Sequence, residues 1–243
     1  MRNERRQFLG HMVGGVAAIG ATGAATNDLF GESLSGEPPD ALALARAWER
    51  GASQEKQTWD MSWTDRVTGK HRQVFDAPEI EEGTVFHQTR AFLQGFTDVY
   101  NATDADCSAV MVIRHAAIPM AVNDSLWDEL ELGKAFKLKD PETGKAARRN
   151  PFLNANTPSS AKYGLLWPDG GLDTLIARGA IALCCNLALF RMVSMIAKRE
   201  KIEAKPAREK VLANLFPGVI VQPSGIFAVA RAQEAGCHYL RAT

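Results

Sequence analysis

From residue 108 onward the chain alternates between two textures. Short unbroken apolar runs give way to longer segments whose apolar residues return every three or four positions. The runs Ser108–Arg114, Gly179–Cys184, Gly218–Gln222 and Cys237–Arg241 read as strands, the first two of them continuous enough to be buried on both faces. Between them, Asp124–Phe136, Leu172–Arg178, Asn186–Arg199, Ala207–Phe216 and Ser224–Ala235 carry helical spacing, with Asn123, Asp124 and Ser125 all competent to cap the first. Upstream, Glu82–Tyr100 lines Val85, Phe86, Phe92, Leu93, Phe96, Val99 and Tyr100 along one helical face. Trp59–Trp63 and Arg72–Phe75 flank the turn Val67-Thr-Gly-Lys70 and predict a hairpin. Ala41–Arg50 is a short helix candidate, and 137–171 is a polar stretch rich in Pro, Asn and Gly. Strand–helix alternation of this kind predicts an α/β protein: a mostly parallel sheet with helices on both faces.

The first residues have a different texture. Arg5-Arg6-Gln7-Phe8-Leu9, followed by a mildly apolar Gly- and Ala-rich stretch to Ala25, has the order of a twin-arginine export signal. Cleavage after Ala24 and cleavage after Ala25 both fit. The organisation expected is therefore a signal over 1–25, a linker over 26–40, an N-terminal extension of hairpin and helix over 41–105, and an α/β domain over 106–243. The signal implies passage through the twin-arginine translocase, which carries folded proteins, and a periplasmic location.

Composition narrows the partners. The chain is 46% hydrophobic and 23% charged, with 28 basic and 28 acidic residues. So balanced a charge offers no footprint for nucleic acid. The four cysteines Cys107, Cys184, Cys185 and Cys237 show no Cys-x-x-Cys spacing, no haem-attachment motif is present, and neither a metal nor a cofactor is implied. In an oxidising compartment Cys107 and Cys237 are the plausible disulfide pair, and each reads equally as a small buried apolar residue.

Ligands of open parallel sheets bind beyond the carboxyl ends of the strands. That rule gathers Arg114-His115, Cys184-Cys185-Asn186 and Gln222-Pro223-Ser224-Gly225 on one edge. Cys185 stands where a strand becomes a helix, so the helix N-terminus favours its thiolate over the thiol, while Cys184 points into the core. His115 reads as a general base or thiolate partner, and equally as a strand-end histidine bonded to backbone. Arg114 reads as an anion or carboxylate partner. Ser224-Gly225 opens a helix suited to an anionic group, or serves as a plain N-cap. His87 reads as a packing histidine. Arg148 and Arg149 read as surface charge, with closure over an anionic ligand as the sharper alternative.

The segments Gly179-Ala-Ile-Ala-Leu-Cys-Cys-Asn-Leu-Ala-Leu189, Phe216-Pro-Gly-Val-Ile-Val-Gln-Pro-Ser-Gly-Ile-Phe227 and Ala232-Gln-Glu-Ala-Gly-Cys-His-Tyr-Leu240 together resemble the DsrE/DsrF-like family, in which a strand ending in Ala-Cys-Asn leads into a helix. The resemblance spans about residues 108–241 and implies a flavodoxin-like three-layer α/β sandwich. It also implies oligomeric assembly and a sulfur-relay role in which Cys185, at the family's cysteine position, carries persulfide sulfur between a donor and an acceptor protein. The expectation is a periplasmic, homo-oligomeric sulfur-handling protein with Cys185 and His115 in the chemistry and Arg114, Asn186, Ser224 and Gly225 binding. The alternative is a non-catalytic small-anion-binding or accessory subunit.

Overall fold

The computed structural model describes residues 58–140, 142–156 and 169–243. The expected signal with Arg5 and Arg6, the linker, the helix over 41–50 and part of the polar stretch (157–168) lie outside the described residues.

Five strands form one all-parallel sheet: β1 (His71–Ala77), β2 (Cys107–Ile113), β3 (Ile181–Cys185), β4 (Val219–Gln222) and β5 (His238–Arg241), in the order β4-β3-β2-β1-β5. The helices are α1 (Thr84–Tyr100), α2 (Asp124–Glu129), α3 (Leu132–Ala135), α4 (Leu172–Ala177), α5 (Asn186–Glu200), α6 (Ala204–Ala213) and α7 (Gly225–Glu234). This is the three-layer α/β sandwich expected. Three successive crossovers step outward from β1 to β4, and the fourth returns past β1 to place β5 on its other side; flavodoxin itself, ordered 2-1-3-4-5, sends its second strand there instead.

The alternation along each strand divides the interior in two. Phe75, Met111, Ile113, Ala182 and Cys184 pack with Val85, Phe86 and Leu93 of α1, Leu172 and Leu175 of α4, Leu189, Met192 and Val193 of α5, and Ala207 and Val211 of α6. Val74, Val110, Val112, Ile181 and Leu183 face the opposite way, onto Trp63 and onto Ala228 and Ala232 of α7. Strands covered on both faces must be apolar on both, which is why β2 and β3 read as unbroken runs.

The sequence reading fails at three places, each for a local reason. The hairpin does not form. Asp60 Oδ1 accepts from the Ser62 amide (2.9 Å) and hydroxyl (2.6 Å), turning the chain into a 3₁₀ segment over Ser62–Arg66 that lays Trp63 against the sheet. The strand expected to close that hairpin is instead β1, inserted between β2 and β5, so β1 and α1 belong to the sandwich and the boundary drawn at residue 105 does not separate an extension from it. The helix expected over 124–136 breaks at Glu131, whose φ of 48° is left-handed. The break seats Gly133 against Ala147, where a Cβ would lie 2.1 Å from the Ala147 carbonyl oxygen.

Of the two readings of Cys107 and Cys237, the disulfide does not form. Cys107 pairs with His71, and Gln73 pairs with His238, so β1 separates Cys107, on β2, from Cys237, the residue before β5. Two strand spacings put their backbones roughly 9.5 Å apart, beyond the reach of a disulfide. Cys107, Cys184, Cys185 and Cys237 are all free thiols. Burial pushes the Cys237 thiol up to about 11 and the Cys184 thiol higher still.

Candidate functional site

The carboxyl edge of the sheet is organised around a buried ion pair. Asp76, near the end of β1, is 3% exposed. Arg114, one residue beyond β2, donates to it twice, from Nε to Oδ1 at 2.6 Å and from Nη2 to Oδ2 at 2.9 Å. The Tyr239 hydroxyl, from β5, donates to Oδ2 at 3.0 Å. The planar guanidinium matches both carboxylate oxygens, so the pair is geometrically specified as well as charge-matched. Asp76 holds the Arg114 guanidinium more firmly protonated than usual, with smaller contributions from Tyr239 and the Cys185 thiol. Partial burial, and after it the same carboxylate, pushes the Tyr239 phenol up.

Gly225 completes this centre. A Cβ there would lie 2.5 Å from Arg114 Cδ and 2.6 Å from its Cβ. The first residue of α7 is glycine because the stem of Arg114 crosses directly beneath it. Ser224, one residue earlier, caps α7, accepting from the Phe227 amide at 3.1 Å. Of the two readings of Ser224-Gly225, the geometry supplies the N-cap and a close-packing glycine.

Cys185 is the last residue of β3 and the N-cap residue of α5. In the ladder Ile113 faces Cys184 and Cys185 faces Gln222, so Arg114 and Gln222 flank Cys185 from the two neighbouring strands. Cys185 as a residue is 6% exposed, and its side chain makes no capping hydrogen bond. Cys184 packs into the core, as its alternation requires. Asn186 is buried, and its Oδ1 accepts from Arg208 Nη2 at 3.2 Å, tying the head of α5 to α6.

His115 lies apart from the ion pair. Its backbone is left-handed at φ 50°, its side chain is 62% exposed, and its Nδ1 lies 3.1 Å from Glu79 Oε1. Arg148 and Arg149 are surface residues paired with Asp128 and Asp140, and His87 is half-buried on α1. No group of three or more His, Cys, Asp and Glu side chains arranged to hold a metal ion occurs among the described residues, and no described helix is long and apolar enough to cross a membrane.

Of the residues picked from sequence, the fold brings Arg114, Cys185, Asn186, Ser224 and Gly225 to one edge and sets His115 on the flank of α5. Sequence reasoning missed Asp76 and Tyr239. The signal for Asp76 was a lone acid near the end of the strand His71-Arg-Gln-Val-Phe-Asp-Ala77, masked by assigning that segment to a hairpin. Gln222 was gathered to this edge as a strand end, without a role. It is fully buried, and its amide donates to the carbonyls of Asp60 and Val221.

These features define a doubly wound α/β sandwich with a cysteine at a strand-to-helix junction beside a buried Asp–Arg–Tyr centre. No family model and no curated protein matches the chain. A solved protein of unknown function from Methanobacterium thermoautotrophicum, MTH1491, is 15% identical to it; the match covers 70% of this chain and 98% of that one, with a TM-score of 0.37.

Proposed function

We propose that this protein is an exported, DsrE-like carrier of sulfane sulfur, with Cys185 as the carrying residue. The observation behind the reading is the setting of Cys185. It heads a 15-residue helix, its sulfur is not spent on capping, and the next strand brings a firmly protonated arginine alongside. The free amides of a helix N-terminus lie beside such a sulfur. In the step itself, the Cys185 thiolate attacks a sulfane sulfur of a polysulfide, a new S–S bond forms, and the polysulfide's own S–S bond breaks. The leaving chain departs one sulfur shorter with the electron pair, and no external oxidant or reductant is needed. A thiol on an acceptor protein draws the sulfur off by the same exchange.

Export through the twin-arginine translocase to the periplasm and assembly as a homo-oligomer belong to this proposal, on the strength of Arg5-Arg6 and of the family resemblance. The intact mass of the mature protein before and after polysulfide treatment, beside a Cys185→Ser variant, tests it. A gain of one or more sulfur atoms, reversed by reductant and missing in the variant, is expected. An unchanged mass refutes sulfur carriage. The same spectrum locates the cleavage site.

One observation favours the second reading, a non-catalytic anion-binding or accessory subunit: Cys185 is nearly closed off. Under that reading iodoacetamide reaches Cys185 only when the protein unfolds, whereas a carrier thiol is alkylated in the native state.

A further inference from the structure

On the α7 side of the sheet, apolar surface gathers above the buried ion pair. Tyr239 and Arg114 both donate to Asp76, and the stem of Arg114 passes beneath Gly225. The next two residues of α7, Ile226 and Phe227, turn outward, with Ile226 68% exposed. The Tyr239 side of this centre is open to solvent too, and so is Ala230, one turn beyond Ile226. Ile226, Phe227 and Tyr239 are three of the seven exposed large apolar side chains among the described residues. They are joined residue to residue through Asp76, Arg114 and Gly225, and apolar surface grouped in this way marks a contact site.

The chain itself enters beside this patch. Residues 1–57 lie outside the described residues, and the stretch that follows them starts at the carboxyl end of β4, where Gln222 Nε2 donates to the Asp60 carbonyl at 2.8 Å. Met61 and Trp63 then pack in the same apolar layer as Ala228 and Ala232 of α7, so the entry is on the α7 side of the sheet. Ile226 is four residues from Gln222, at most about 14 Å along the chain. Upstream of Thr58, the sequence Glu49-Arg-Gly-Ala-Ser-Gln-Glu-Lys-Gln57 has no large apolar side chain, and Trp48 is the first one met. The ten residues from Trp48 to Thr58 can span up to about 33 Å, more than twice the distance from Gln222 to the patch. An indole offers a large, rigid apolar face that stacks on neighbouring rings.

We propose that Trp48 docks on the exposed face of α7, against Ile226, Phe227 and the Tyr239 ring, so that the protein's own N-terminal segment roofs the Asp76–Arg114 pair. The occupant is a segment of the same chain because its attachment at Asp60 presents Trp48 to the patch at an effective concentration on the order of millimolar, which a separate partner would have to match from solution. The proposal rests on the patch and the entry point, and does not depend on sulfur chemistry at Cys185.

Photocross-linking of the full chain tests it. A benzophenone amino acid takes the place of Trp48, equal amounts of unlabelled and heavy-isotope protein are mixed and irradiated, and the cross-linked peptides are identified by mass. Cross-links from position 48 to residues 226–230 or to Tyr239 are expected, with both peptides of one isotope. Peptides that combine the two isotopes overturn the proposal in favour of a second copy. Cross-links confined to other surfaces, or a yield no greater than in denaturant, overturn it outright. The native indole is read separately by fluorine NMR of protein labelled with fluorotryptophan, the Trp48 signal being assigned by its loss in Trp48→Phe. That signal should move in Ile226→Ser, an exposed site whose change spares the core, and stay in place in Val99→Ser, at the far end of α1. A Trp48 signal at the position of denatured protein, or one indifferent to Ile226→Ser, refutes the docking.

Discussion

Truncating Asp76 to alanine isolates the energetic weight of the buried pair. In the native protein the carboxylate is 4% exposed and accepts three hydrogen bonds, two from Arg114 and one from Tyr239. Removing one partner of a buried ion pair typically costs about 3–5 kcal/mol, because the remaining charge stays desolvated. Arg114 is 23% exposed and recovers part of its hydration, which lowers the figure. Tyr239 keeps access to water, so its lost bond adds only about 1 kcal/mol. A loss of roughly 3 kcal/mol is expected. With a urea slope of about 2 kcal/mol/M, the unfolding midpoint at pH 7 should fall by roughly 1.5 M. The decisive comparison is a double-mutant cycle with Arg114→Met and with Asp76→Leu in place of alanine. The two apolar side chains together remove both charges and fill the space, so the double variant should lie within about 1 kcal/mol of wild type while each single variant is several-fold worse. Equal and additive losses from the two singles, or an Asp76→Ala loss under 1 kcal/mol, would show that the pair does not govern this edge.

Gly225→Ala should destabilise by about 1–3 kcal/mol in the same urea assay, since its Cβ meets the near stem of Arg114 rather than a movable tip, and an unchanged midpoint would contradict the close packing. Gly133→Ala should do more damage, because the obstacle is the Ala147 backbone itself; failure to yield soluble protein, or a loss above about 3 kcal/mol, is the expected result. Alkaline pH should weaken the fold through its buried thiols. For Cys237 the folded value rises from 9 to about 11, so its stabilisation is complete below pH 9 and disappears as pH climbs through 11, a change of about 2–3 kcal/mol. The difference between wild type and Cys237→Ser in urea, measured at pH 8 and at pH 11, should shrink by that amount.

The layered fold was legible because β2, β3 and β4 and the helices between them keep their hydrophobic periods intact, and those periods answer to burial alone. The failures came where a local contact outbid the pattern. Asp60 turned Trp59–Trp63 out of a strand, and the approach of Gly133 to Ala147 split a helix whose apolar spacing ran on unbroken. The site divides the same way. Arg114, Cys185 and Gly225 were found because the carboxyl-edge rule needs only strand ends. Asp76 and Tyr239 escaped because their roles exist only once β1 lies between β2 and β5, a pairing that links Gln73 to His238 across 165 residues and leaves no mark in either segment.

That pairing also sets how the molecule breathes. β5 touches the sheet along β1 alone, all four of its residues are exposed, and its outer edge has no neighbouring strand among the described residues. Amide protons there should exchange with solvent well before those of β2 and β3, through a local opening that leaves the rest of the sheet intact. Each such opening lifts the Tyr239 hydroxyl from Asp76 and admits water to the carboxylate that holds Arg114. The stiffness of the cation beside Cys185 is thus set by the edge strand that frays most easily.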